Sequence, residues 1–338
     1  MVSARKNHQV IPSFAAKRAN EPMNIDSGTK IEQAKSFACI ACNSQKLTRW
    51  GELPVYTADF LGRELDSNIN PGALYECENC TLRFRFPQPT KEELMKYYQG
   101  LDTNECWQHG TEREVWRYIK DELKDLPQPS VLDVGCFRGD MLSYVGNGLE
   151  LFGVEPSTEA GREAEKRGIT IIGEDIESLE GSGPRFGAIS LIDVAEHLLR
   201  PMDSLRVLTE LLLPGGKLII FTGSTDALSW RLAGVDYYYS AMPEHVAFMR
   251  PSWFSWAAAR LTLDLVSIRR LRYQSSPVRT RIDEGLKNLS YFGYRRLQHL
   301  SFLPKFLFKL PVVRRIGEWP GCWWTSAKDH TLVILTKV

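Results

Sequence analysis

The chain has 338 residues, enough for one large or two small domains, with apolar and charged fractions of 43% and 25% that are ordinary for a globular protein. Its 42 Lys and Arg nearly cancel 41 Asp and Glu, so the net charge of +1 creates no whole-chain field toward nucleic acid. No apolar run reaches the roughly 18 to 20 residues needed to span a bilayer, so the reading is a cytoplasmic protein, at most peripheral to a membrane.

Met1 to Lys30 is polar, carries Arg5, Lys6, Lys17 and Arg18, and has no long apolar segment. Residues 1–36 therefore read as a flexible leader rather than a secretory signal. Four of the seven cysteines then form two pairs, Cys39-Ile40-Ala41-Cys42 and Cys77-Glu78-Asn79-Cys80. Each CxxC makes a tight knuckle presenting two thiolates, and two knuckles complete a tetrahedral sulfur shell suited to zinc. Such a shell leaves no open position, so the metal would be structural; a redox motif would need only one pair. Cys106, Cys136 and Cys322 lack this spacing. Residues 37–98 read as a zinc-ribbon module that ends in Arg83-Phe84-Arg85-Phe86-Pro87 and the helical pattern Glu92 to Tyr98. Residues 99–125 read as a helical cap in which Trp107, Trp116 and Tyr118 pack.

Strands and helices alternate from there on, which predicts a parallel sheet with helices on both faces, a doubly wound Rossmann-like α/β fold. The expected strands are 130–134, 150–154, 169–172, 187–192, 217–222, Leu263 to Tyr273 and Thr331 to Thr336. The first runs into a glycine loop, VLDVGCFRGDML, over Val131 to Leu142. Glycine lets backbone approach a ligand closely, and the following helix start favours a polar or anionic group. The dinucleotide fingerprint G-x-G-x-x-G is not met, because Phe137 replaces its second glycine and Asp133 stands beside the loop. Asp133 would repel a pyrophosphate but could hold an ammonium, so the loop points to a cationic amino-acid cofactor and away from NAD.

With Gly153-Val154-Glu155-Pro156-Ser157, Gly173-Glu174-Asp175-Ile176, Asp193-Val194-Ala195-Glu196-His197 and Leu213-Pro214-Gly215-Gly216-Lys217 following in order, residues 112 to 223 resemble the class I S-adenosylmethionine-dependent methyltransferases. The resemblance implies a seven-stranded sheet whose last strand runs antiparallel between the fifth and sixth. It implies S-adenosylmethionine contacts from Asp133, Gly135, Cys136, Gly139, Glu155, Pro156, Asp175, Ile176, Asp193 and Val194. Among these the acid Glu155 would take the ribose hydroxyls, and Asp175 the adenine amino group. Trp107 is a further candidate to reach the cofactor. Cys136, inside the loop, reads as a small packing residue rather than a nucleophile.

Methyl transfer is an in-line displacement, and a hydroxyl or C–H acceptor must also lose a proton. Histidine suits that role, and two candidates follow strand ends, His197 and His245. Glu244-His245 is similar to the Glu-His pair of sugar carbon-methyltransferases, where a nearby tyrosine assists. Here Met242 stands where that tyrosine would precede the pair, leaving Tyr237, Tyr238 or Tyr239 as substitutes. The ribbon with its Pro-rich turn and Tyr97-Tyr98 helix likewise resembles the N-terminal module of sugar methyltransferases, and makes Tyr97 and Tyr98 candidates for substrate contact. Trp323 and Trp324 are candidates to line a pocket.

Residues 275–328 read as a basic amphipathic helical insertion between the core segments 99–274 and 329–338. From Arg269 to Arg315 there are 12 Lys or Arg against 2 acids, a net of +10, interleaved with aromatic and aliphatic residues. Such a segment can lie on an anionic membrane, here through 285–315, or hold a phosphate-bearing substrate; it can also simply pack on the core. The expected function is methylation of a sugar or glycan intermediate in polysaccharide biosynthesis, on oxygen in preference to carbon. The rival readings are an RNA or other small-molecule methyltransferase and a non-catalytic scaffold. The near-zero net charge argues against nucleic acid, and the retained acids Asp133, Glu155 and Asp175 argue against a dead scaffold.

Overall fold

The computed structural model describes residues 37–54, 71–99, 113–181, 183–273, 276–298, 310–311, 313, 324 and 326–338. The leader 1–36, Cys106, Trp107, Cys322 and Trp323 lie outside the described residues. The N-terminal module holds β1 (Leu47–Glu52), β2 (Ala73–Cys77), β3 (Arg83–Phe86) and α1 (Lys91–Gln99). The sheet segment opens with α2 (Glu114–Glu122), β4 (Ser130–Val134), α3 (Asp140–Val145), β5 (Glu150–Val154), α4 (Thr158–Lys166), β6 (Thr170–Gly173) and β7 (Phe186–Ile192). It continues through α5 (Pro201–Leu211), β8 (Leu212–Gly223), α6 (Leu228–Ala233), α7 (Tyr238–Ala241), β9 (Ala247–Phe248), α8 (Pro251–Ala258), β10 (Leu263–Leu271), α9 (Val278–Gln298) and β11 (His330–Lys337).

The large sheet has seven strands in the order β10-β11-β8-β7-β4-β5-β6. β4 pairs in parallel with both β5 and β7, whereas β11 is antiparallel to β8 on one side and β10 on the other. This is the doubly wound seven-stranded arrangement expected from the sequence, reversed last strand included. Each residue of β4 is buried, which is why Ser-Val-Leu-Asp-Val reads as a near-continuous run rather than an alternation. Val131 faces one apolar core with α2 and α3, and Leu132 faces the other with α5 and α8. Local signals set the helix starts: Ser157 Oγ accepts from the Ala160 N–H at 3.3 Å, and prolines open α5 and α8. From β4 the chain winds first to β5 and β6, then crosses back to β7 and β8, so the loops after β4 and β7 part and leave a crevice at the carboxyl ends of the strands.

The N-terminal module does not stand apart. Cys39, Cys77, Cys80, Leu82 and Phe84 belong to the same apolar cluster as Leu132, Ile189 and Trp253 of the sheet region. Its small sheet has the order β1-β2-β3-β9, so its last strand is supplied by residues 247–248, far along the chain. Sequence patterning did not mark β9, since two residues carry no periodicity. Among the described residues no helix is long and apolar enough to cross a membrane.

Candidate active site

The loop after β4 carries three left-handed residues, Gly135 (φ 69°), Phe137 (φ 50°) and Gly139 (φ 75°). At Gly135 a side chain is excluded twice, by the backbone and because a Cβ would come within 2.6 Å of Val194 Cγ2. Val194 follows β7, so the two loops that flank the crevice touch here. Glu155, at the end of β5, closes the loop from below. Its Oε2 accepts from the Phe137 N–H at 2.8 Å and its Oε1 from the Ser157 N–H at 2.9 Å, and Pro156 lies between these contacts. Asp133 is buried and accepts from the Ser190 hydroxyl at 2.7 Å. Burial pushes the Asp133 carboxyl up to about 7, with Glu155 adding to the rise and Ser190 opposing it. Burial likewise raises Glu155 to about 7 against its two backbone N–H bonds.

Cys136 is buried, and burial with the neighbouring acids raises its thiol far above the range of a nucleophile. Ile176 is buried beside the loop that carries Asp175. Asp175 itself is engaged: Oδ1 accepts from the Ser178 N–H at 2.8 Å, and Oδ2 pairs with Lys91 at 2.7 Å. Lys91 opens α1, so the N-terminal module reaches the rim of the crevice.

On the other side of the crevice lie the predicted histidines, and the fold brings them together. The rings of His197 and His245 are 4.8 Å apart between centroids. One nitrogen of each and a Glu196 carboxylate oxygen lie within 4.8 Å of one another. His245 Nδ1 is 2.7 Å from the Tyr239 carbonyl, which can only accept, so Nδ1 carries the proton and Nε2 keeps its lone pair. Burial, with His197 and Arg85 nearby, pushes the His245 pKa well down and keeps the ring neutral. His197 Nδ1 lies 3.1 Å from the Glu244 carbonyl and 2.9 Å from the Tyr98 hydroxyl. Tyr98 thus enters the site from α1. Glu244 is buried. Tyr239 packs its ring 4.2 Å from His245 and accepts from the Gly223 N–H at 2.8 Å. It therefore holds the imidazole in place, and its hydroxyl is spent on the end of β8.

Three residues that sequence reading did not single out complete the crevice. Arg113, just before α2, pairs with Asp193 Oδ2 at 2.7 Å and lies 4.6 Å from the Tyr273 ring. Among the described residues its Nε and Nη2 are buried without a hydrogen-bond partner, as is Asp193 Oδ1. His330, at the start of β11, stacks on Phe221 and sits with Nε2 4.0 Å from Asp193 Oδ1. Its Nδ1 is 2.8 Å from Asp329. Burial opposes protonation of His330, but the Asp329 carboxylate outweighs it and raises the pKa. Asp329 also accepts from the hydroxyls of Tyr237 and Tyr238. These two tyrosines are therefore tied to Asp329 rather than to the histidine pair. Trp324 packs against the aromatic cluster that contains them.

Away from the crevice, the sulfurs of Cys39, Cys42, Cys77 and Cys80 all lie within 4.8 Å of one another. Cys39 is 3.5 Å from Cys80, and Cys42 is 3.5 Å from Cys77. The hydrogen bond from Cys80 pulls the Cys39 thiol down to about 5 and raises that of Cys80 in turn. The Ala41 N–H and the Asn79 amide also point at the sulfurs of Cys39 and Cys42.

A family model described as a methyltransferase domain matches residues 107–268. A ubiquinone biosynthesis O-methyltransferase of Coxiella burnetii is 29% identical over 181 residues, covering 49% of this chain and 76% of that protein. A protein of the same name from Alkalilimnicola ehrlichii is 26% identical over 193 residues, covering 52% and 78%. Among solved structures, a geranyl diphosphate C-methyltransferase of Streptomyces coelicolor A3(2) is 12% identical with a TM-score of 0.46, covering 75% of this chain and 99% of that one, a likeness too slight to argue from. The curated relatives overturn the sugar or glycan acceptor, and with it the polysaccharide role, expected from the sequence. They are named for O-methylation in quinone biosynthesis, a small-molecule reaction. The sugar reading rested on the likeness of the ribbon and of the Glu244-His245 pair to those of sugar methyltransferases, and such a likeness does not fix the acceptor.

Proposed function

We propose that this chain, a class I S-adenosylmethionine-dependent methyltransferase, methylates a hydroxyl group of a small organic molecule. The relatives' name supports oxygen as the acceptor atom, and the chemistry of quinone biosynthesis favours a hydroxyl on an aromatic ring. The observation that carries the reading is the His245 imidazole, its Nδ1 held 2.7 Å from the Tyr239 carbonyl and its ring 4.8 Å from that of His197, in the loop after β7 whose Val194 meets Gly135 of the glycine loop. Bound S-adenosylmethionine supplies an electrophilic methyl on a sulfonium, flanked by an ammonium and a carboxylate. Asp133 is placed for the ammonium side, and Glu155 retains lone pairs for the ribose hydroxyls. The unpartnered Nε–Nη2 edge of Arg113 is the donor fork a carboxylate matches. Lys91 and Asp175 bound the adenine end. His245 then takes the acceptor proton at Nε2, while Tyr239 and its carbonyl fix the ring and its tautomer. Tyr98 and His197 line the acceptor side.

Labelled methyl donor offered with hydroxylated aromatic acceptors tests this directly. His245→Gln should lower kcat by about 10²- to 10⁴-fold, the usual worth of a general base, and leave S-adenosylhomocysteine affinity within about twofold. Full turnover by that variant would remove His245 from the base role. Cofactor binding without transfer to any such acceptor would remove the acceptor class.

Two further parts of the reading concern the rest of the chain. The four cysteines hold a structural zinc: the donor set is all thiolate, the sulfurs converge, and N–H groups already stabilise negative charge on two of them. Helix α9 contacts an anionic membrane surface. Val278, Ile282, Leu286, Leu289 and Leu297 recur at helical spacing and are each between 46% and 66% exposed, beside a segment of net charge +10.

A further inference from the structure

Arg85 lies in the middle of β3, between Phe84 and Phe86, and is 1% exposed. A guanidinium is costly to bury, and this one has spent its donors on backbone carbonyls. Nε donates to the His245 carbonyl at 3.0 Å, Nη1 to that of Pro71 at 2.6 Å, and Nη2 to those of Ser240 and Met242 at 2.9 and 2.8 Å. Three of these four acceptors belong to the 240–245 turn that presents the imidazole. The main chain adds to the hold. The Arg85 N–H donates to the Val246 carbonyl at 3.0 Å, and the next residues pair with β3 as β9, in the register Phe84↔Ala247 and Arg83↔Phe248.

The other end of β3 begins at the second cysteine knuckle. The Cys77 N–H donates to the Leu82 carbonyl at 2.8 Å, and the Thr81 N–H to the Cys77 carbonyl at 2.9 Å. One short strand therefore joins the sulfur cluster to the turn bearing His245. The turn itself is irregular between α7 and β9 and has little regular secondary structure of its own. Within it the His245 N–H donates to the Met242 carbonyl at 3.1 Å, and Arg85 adds charged donors to that carbonyl and to those of Ser240 and His245.

We propose that Arg85 is a positioning residue for methyl transfer: it locks the 240–245 turn so that His245 faces the acceptor, and makes the N-terminal module the mount of that imidazole. The proposal rests on His245 as the base. The cofactor side of the crevice built on β4 and β5 makes none of these contacts. Loss of Arg85 therefore acts on proton removal and not on cofactor binding. Lysine cannot reproduce a planar fork that serves four carbonyls, so Arg85→Lys is not conservative here.

The test compares Arg85→Lys, Arg85→Gln, His245→Gln and the double variant Arg85→Lys/His245→Gln in the full chain. Calorimetric titration with S-adenosylhomocysteine and steady-state kinetics across pH are measured for each. Both Arg85 variants should bind S-adenosylhomocysteine within about twofold of the parent and lose about 10- to 100-fold in kcat, with the acid limb of the pH–rate profile displaced. The double variant should be no slower than His245→Gln alone, since the two residues act as one unit. Wild-type kcat in a folded Arg85→Lys protein would overturn the proposal while leaving His245 as the base. Wild-type kcat in His245→Gln would instead overturn the base. Additive losses in the double variant would show Arg85 acting elsewhere. Joint loss of cofactor binding and kcat, or failure of both Arg85 variants to fold, would also overturn the proposal, because the guanidinium would then hold the whole domain.

Discussion

Asp133 and Glu155 face a conflict that only a ligand resolves. Each is buried and raised to about 7 by that burial, yet each is useful to a cationic, ribose-bearing cofactor only as the carboxylate. The free protein must therefore release protons when the cofactor binds near neutrality. Below about pH 7 each acid weakens binding by up to about tenfold per pH unit, so affinity for S-adenosylhomocysteine should fall about 10- to 100-fold between about pH 7 and pH 6. The stability of the free protein follows the opposite sign. A carboxyl whose folded pKa is raised contributes stability that is present below its ordinary pKa and is lost as pH climbs through the folded value. These two groups thus destabilise the free protein progressively from about pH 4 to about pH 7, and the Tm gain on adding S-adenosylhomocysteine should grow across the same window. Asp133→Asn should flatten part of both dependences, and a pH-independent Kd would refute the assignment. Both acids stand out in the sequence because each ends an apolar run, Asp133 before the glycine turn and Glu155 before Pro156. Arg113, Asp329 and His330 do not, because nothing local marks them. Arg113 meets Asp193 across 80 residues of chain, and His330 reaches the crevice only through the reversed last strand.

At the scale of elements, the strands of the large sheet were readable to within a few residues, since buried parallel strands are short continuous apolar runs bounded by turns. The exceptions have physical causes. β8 starts at Leu212, earlier than its apolar run from residue 217, because the Pro214-Gly215-Gly216 turn pairs irregularly with β7. β9 exists only because β3 offers it an edge. Helix α9 was anticipated as part of a basic insertion, but its pattern could not say which face would be covered. The structure buries Asn288, Tyr291 and Phe292 and leaves the stripe from Val278 to Leu297 outside. Exposed leucines at this spacing gain when they enter a membrane interface, up to about 1.5 to 3 kcal/mol for each fully buried side chain. Leu286→Asp/Leu289→Asp should therefore cut binding to vesicles containing anionic phosphatidylglycerol at least about tenfold at low salt, with cofactor affinity unchanged. Equal sedimentation of parent and variant with such vesicles, or none by either, would dismiss α9 as a membrane face.

For the whole molecule the question is whether the cysteine module is an appendage or part of the core. A ribbon attached by a linker would melt alone and leave the sheet intact. Here Cys39, Cys77 and Cys80 lie in the cluster that includes Leu132 and Ile189 of the sheet. Across the boundary, Arg250 pairs with Glu76 at 2.9 Å, Thr81 bonds Ser252 at 2.8 Å, and the Gln88 amide donates to the Leu199 carbonyl at 3.2 Å. Removing the proposed zinc would leave mutually repelling or protonated sulfurs inside that shared core. The cost must then spread through both parts. Calorimetry of fresh protein should show a single transition, and stripping about one equivalent of zinc should lower it by on the order of 10 °C, as expected for several kcal/mol in a chain of this size. His245 should be disturbed before the cofactor loop, because β3 and β9 link it to the sulfurs, whereas Gly135 and Glu155 follow β4 and β5, strands that the ribbon sheet does not pair with. Stripped protein near its shifted transition should therefore lose turnover while S-adenosylhomocysteine still binds. Two separated transitions, or a Tm indifferent to the metal, would make the module an independent domain and detach the sulfurs from the chemistry.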